Sequence, residues 1–158
     1  MALPLYPPLV SYVLANLRAC DAAEVWPVCK RDVGADDLAR GLCDMSALGC
    51  VILHDDTPAA VVCAAEQQPG VWAPCMFATD AWPHVWRKVV RYITHDLKPE
   101  MIARGCHRAH VHSIVGHPDA GKLLRHLGFT CEGTNRAFGR DREDYTLWAY
   151  IVEPAPCA

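Results

Sequence analysis

The sequence predicts a single α/β domain with a mixed, mostly antiparallel sheet, and three observations carry that prediction. Apolar runs of strand length, Gly49–His54 (GCVILH), Ala59–Glu66 (AAVVCAAE) and Val71–Phe77 (VWAPCMF), follow one another across the short polar turns DDTP and QQPG. That is the pattern of an antiparallel meander. Trp82, Val85, Trp86, Val89, Val90, Ile93 and Leu97 then recur at intervals of three and four, an amphipathic helix of about four turns. This long crossover leads into a further strand, Arg108–Ser113, which favours one parallel pair inside the sheet. The 158 residues suit one core rather than two.

The elements follow in order. Residues 1–10, with three prolines, read as a proline-rich N-terminal arm, 11–152 as the domain and 153–158 as a tail. Ser11–Arg18 (SYVLANLR) has the β-branched, aromatic and aliphatic character of a strand. Asp21 is placed to cap a short helix that Pro27 perturbs. Leu38, Leu42 and Met45, four and three apart, predict a second short helix over Asp36–Met45. Pro74 marks a bulge or an irregular edge in its strand. In the long helix Pro83 fits the first turn, and Pro99 interrupts the pattern after Lys98. One more turn, Pro99–Arg104, stops at Gly105. After Arg108–Ser113 come a helix, Pro118–Leu127, ending at Gly128, and two closing strands, Thr130–Phe138 and Asp144–Val152, around the turn GRDRE. Trp82 and Trp86 fit the core stripe, while Trp72 starts a strand as a candidate exposed contact.

Composition excludes several classes. Apolar residues are 52% and charged residues 21%, so the chain is globular rather than disordered. A net charge of −3 and a pI near 6.2 give no basic field to attract nucleic acid or anionic lipid. The charged hairpin from Glu132 to Glu143 nearly cancels and reads as a solvated turn. No apolar run reaches the roughly 18 residues of a membrane span, and the N-terminus lacks the Lys or Arg of a signal peptide. The nine cysteines are odd in number and contain no CxxC pair, so they read as small buried hydrophobes, not a disulfide framework or a zinc knuckle. A cytoplasmic address is the expectation.

Ala120–Tyr145 (AGKLLRHLGFTCEGTNRAFGRDREDY) carries three short patterns: Leu127-Gly128-Phe129 at a helix end, Glu132-Gly133 on the next strand and Asp144-Tyr145 opening the last. With the element order, these resemble the GCN5-related N-acetyltransferase (GNAT) superfamily. The resemblance implies a GNAT-like domain with a central splayed parallel strand pair, flanking helices, and acetyl-CoA held between the splayed strands. It implies an N-acyltransferase acting on a small-molecule or protein amine, with a strand amide polarising the thioester carbonyl. A glycine-rich loop at the start of the long helix would cradle the cofactor pyrophosphate. The equivalent loop here, Ala78–Val85 (ATDAWPHV), has no glycine, and Pro83 removes one amide. Phe77, Ala78 and Thr79 are the cofactor-binding candidates at the strand end, with Arg87 and Lys88 one turn on as phosphate contacts. The family's usual tyrosine acid on the next helix is replaced by Leu124, and no acid stands between Val71 and Ala78, where Cys75 and Thr79 have the only obvious chemistry.

His107, His110, His112 and His117 remain as a group. His110 and His112, two apart, share one strand face. Three readings stand: His112 as a general base with His117 nearby, a metal pair that no neighbouring Cys or carboxylate completes, or a polar strand face with His117 capping the next helix. Gly116–Gly128 (GHPDAGKLLRHLG) and the preceding helix also look like small GNAT-like proteins of short-tailed bacteriophages. That likeness implies an alternative: a non-catalytic head-assembly or internal virion protein with a phage or host protein partner, or a homo-oligomer.

Overall fold

The computed structural model describes residues 1–153, so the expected tail lies outside the described residues except for Glu153. Among the described residues seven strands form one sheet in the order β1-β2-β3-β4-β5-β7-β6. They are β1 (Ala2–Pro4), β2 (Leu48–His54), β3 (Thr57–Gln68), β4 (Val71–Ala78), β5 (Arg108–Ile114), β6 (Thr130–Asn135) and β7 (Tyr145–Ile151). Every neighbouring pair is antiparallel except β4 and β5. Asp55 and Asp56, both at positive φ, make the tight turn of the β2–β3 hairpin.

The N-terminal region departs from the expectation for Ser11–Arg18. The chain there is helical, α1 (Pro7–Ala15), and β1 ahead of it pairs with the outer edge of β2. Pro7 and Pro8 start the helix because its first amides need no partner. Val10, Val13 and Leu14, at helical spacing, are buried against the sheet, and burial of that stripe outweighs the β preference of the individual residues. Then come α2 (Ala19–Val25), a 3₁₀ turn at Trp26–Val28 and α3 (Ala35–Met45).

The long helix also differs at Pro99. The rod runs unbroken from α4 (Trp82–Tyr92) through five π-helical residues, Ile93–Leu97, into α5 (Lys98–Ala103). The Lys98 amide reaches back to the Ile93 carbonyl, and this wider turn accommodates the proline, which cannot donate to the ladder. Trp86 is 41% exposed with the Arg87 guanidinium over its ring, and Trp72 is 1% exposed; both reverse the sequence expectation. The α6 helix (Ala120–His126) is followed by Gly128 at φ 86°, the left-handed stop, and by buried Phe129.

Two cores flank the sheet. Val85, Val89, Ile93, Leu97 and Phe129 pack with Trp72 and Trp148 on the α4–α6 face. Val10, Val13, Leu14 and Phe77 pack with Ala39 on the α1–α3 face. No helix of the described residues is long and apolar enough to cross a membrane.

Candidate active site

β4 and β5 pair only at Val71–Arg108 and Trp72–Ala109, then diverge. A cavity of about 440 Å³ opens along this divergence and is lined from both faces of the sheet. Leu97, Met101, Leu123, Leu124, Leu127 and Phe129 form an apolar wall on the α4–α6 side. The other side carries Glu24, Cys75, His110 and His112, with Phe138 and Tyr145.

Strand alternation fixes which backbone groups face the slot. The Thr79 amide donates to Ala59 of β3, so the Ala78 amide points the other way. Two-residue periodicity then turns the Met76 amide and the nitrogen of Pro74 toward the slot. Pro74 has no hydrogen to offer, which an edge vacated by its neighbour tolerates. Met76 N–H is the backbone donor of open β4 that faces the cavity.

At the polar end of the slot, α2 fills the gap. The Arg18 amide donates to the Ala78 carbonyl, and Asp21 accepts the Ala78 amide at 2.6 Å. Glu24, one turn on, accepts the Ile114 amide of β5 at 2.7 Å. Asp21 also lies 2.9 Å from the Arg18 guanidinium and 3.0 Å from His117 Nε2. His117 Nδ1 accepts the amides of Asp119 and Ala120, which makes Nε2 the protonated nitrogen that donates to Asp21. Arg18 bonds Asp119 at 2.8 Å and lies over the Trp82 ring, so it ties the starts of α4 and α6 together.

These surroundings set the proton affinities. Burial alone would raise the Asp21 carboxyl, but the bonds from His117, Arg18 and Ala78 outweigh it and hold it below its usual range. Burial pushes the Glu24 carboxyl up, against the opposing pull of Ser113, His117 and the Ile114 amide. Burial pulls His112 down, helped by His110, and His110 is lowered by burial and Arg108. His112 Nε2 meets Asn135 at 3.0 Å and the ring stacks on Phe138. His110 Nδ1 is buried with no hydrogen-bond partner among the described residues.

The start of α4 is closed to an anion. The amides of Thr79, Ala81, Trp82 and His84 donate to Ala59 O, Thr79 Oγ1, Thr79 O and Ala81 O, and Pro83 has none. Of residues 79–84 only the Asp80 amide is left, beside its own carboxylate. Lys88 Nζ bonds the Leu53 carbonyl at the end of β2, two strands away, and neither it nor Arg87 lines the cavity. Phe77 faces the α1–α3 core and lines the slot, while Ala78 and Thr79 are bound as described. The residues therefore fit the acyl arm of a thioester along the apolar wall but not a pyrophosphate at the helix start.

The structure thus brings His112 and His117 to one slot, His117 with both ring nitrogens engaged. Sequence reasoning misses Glu24 and Arg18 and takes Asp21 only as a cap. The one available signal was the three-residue spacing of Arg18, Asp21 and Glu24 amid alanines, which a solvated helix face shares. Cys20, Asp21 and His117 bring ligand-type atoms within 4.8 Å of one another, but the Arg18 cation already sits on that carboxylate.

No family model matches the sequence, and no curated protein matches it. Solved structures do. The ribosomal-protein-S18-alanine N-acetyltransferase of Escherichia coli is similar at 17% identity and TM-score 0.69, over 98% of this chain and 95% of that one. A GNAT-family acetyltransferase of Streptococcus pneumoniae matches at 11% and 0.69, over 96% and 99%. The yncA protein of Salmonella typhimurium, solved with its cofactor acetyl-CoA, matches at 12% and 0.73, over 99% and 96%. At these identities the likeness is one of fold, and the chain has the GNAT fold.

Proposed function

We propose that the chain is an N-acyltransferase that moves an acyl group from a thioester to an amine. The observation that carries this reading is the slot through the sheet: apolar on one side, polar on the other, with a strand amide at its edge. A thioester supplies the activated acyl group. With its acyl arm against Leu97, Leu123 and Leu127, its carbonyl oxygen takes a hydrogen bond from Met76 N–H, which strengthens as negative charge develops. The amine enters from the Glu24 and His112 side and attacks the carbonyl carbon. The C–N bond forms, the C–S bond breaks, and the thiolate leaves. Glu24, with its raised proton affinity, takes the proton released by the amine. His112, which lines the same slot, is the second candidate proton acceptor, neutral because burial lowers it.

Incubation with an acetyl thioester and a panel of amines, read by product mass, tests this. Glu24→Gln is expected to lower kcat by about 10²–10⁴-fold with donor affinity unchanged. Absence of an acetylated amine across the panel, with no saturable donor binding, overturns the reading and leaves the non-catalytic assembly role.

A further inference from the structure

We infer that the donor is recognised as a pantetheine-type thioester without its nucleotide: the slot holds the acyl arm, and the protein makes no productive contact to the diphosphate. The inference rests on the acyl-transfer reading and names the substrate class of that site.

Three observations lead to it. First, a helix start binds an anion through free amides and the positive end of its dipole, and here three of those amides are bonded within the loop, the Thr79 amide is bonded to Ala59 of β3, and a fifth position is proline. Second, the cation nearest that start is already spent. Arg18 is 7% exposed, held between Asp21 and Asp119, with its guanidinium on Trp82. Third, the charge balance at that end is wrong for a polyanion. Arg18 lines the slot there together with Asp21, Glu24 and Asp119, and already pairs with the first and last of these. The other cation lining the slot, Lys98, bonds the Leu127 carbonyl beyond the far end of α6, roughly 12 Å from Asp119 by helical rise. A diphosphate at the mouth would displace Asp119 from Arg18 or lie close to the carboxylates of Asp21, Glu24 and Asp119. Neither cost falls on a donor that ends in an uncharged amide arm.

Calorimetric titration with acetyl-CoA and with S-acetylpantetheine, which lacks the nucleotide and its phosphates, tests this. The expected result is dissociation constants within about threefold of each other, and for acetyl-CoA no weakening between low and high salt. The Arg87→Ala/Lys88→Ala variant should bind both donors as the wild type does. Acetyl-CoA binding tenfold or more tightly than the truncated donor, or weakening in that variant, overturns the inference and leaves acyl transfer standing. Asp119→Asn gives an independent check: it removes a repelling charge and frees Arg18, so it should tighten acetyl-CoA but not S-acetylpantetheine. Equal effects on both donors count against the inference. Binding of neither donor overturns acyl transfer itself.

Discussion

Asp21 and Glu24 stand one turn apart on α2, each accepting a strand amide, and their surroundings push their protons in opposite directions. Asp21 is held low, so its ionised form stabilises the fold above the unfolded value near 3.9, and that stability is lost as pH falls through the folded value. Glu24 is raised, so the sign reverses. Its neutral form contributes below about 4.3, and the contribution is lost as pH rises through the folded value. Glutamine at this position keeps an acceptor for the Ile114 amide and never ionises. Glu24→Gln is therefore expected to raise the thermal midpoint at pH 8 and leave it nearly unchanged at pH 4, while activity falls. A variant less stable than wild type at pH 8 would show that the carboxylate is a structural anion rather than a strained base. None of this was legible in the sequence, since a helical carboxylate has the same letter whether it faces water or a splayed strand.

At the scale of elements, α2 takes the position along β4 that β5 abandons. Leu17 bridges Thr79, Arg18 bonds Ala78, and Asp21 and Glu24 cap one open amide on each strand, those of Ala78 and Ile114. The elements around it were legible where period and turn chemistry agreed: the β2–β3–β4 meander, α3, and the α6 stop at Leu127-Gly128-Phe129. They were illegible where two signals competed. Ser11–Arg18 has strand composition, yet the prolines before it start a helix whose stripe is Val10, Val13 and Leu14. Pro99 reads as a stop, yet a π turn absorbs it. The sequence shows that the loop at the start of α4 has no glycine, but only the structure shows that its amides, that of Asp80 apart, are consumed. If Arg18 and Asp21 act as one buried pair, Arg18→Ala leaves the carboxylate with the His117 and Ala78 bonds but without its cation, at a cost of about 3–5 kcal/mol. Asp21→Asn in the same chain should then cost little more, so denaturant unfolding of the two single variants and the double variant should be strongly non-additive. Additive losses would mean that the two side chains act separately.

Across the whole molecule, one sheet separates two cores, and the slot runs between strands that both cores need. Val61 and Val62 are neighbours on β3, both buried, and they point into opposite cores. Each side chain loses about two methylene equivalents on replacement by alanine, or about 2 kcal/mol with its share of cavity. The ladder from β1 to β6 is continuous despite the divergence of β4 and β5, because the pairing at Val71 and Trp72 is kept. Neither core can therefore come apart without stripping the sheet from the other. Scanning calorimetry should give one transition for the wild type, for Val61→Ala and for Val62→Ala, with the two variants shifted down by similar amounts. If Val61→Ala instead split the transition in two, the α1–α3 face would be a separately melting layer. The polar side of the slot, where α2 carries Glu24, would then open before the apolar wall does.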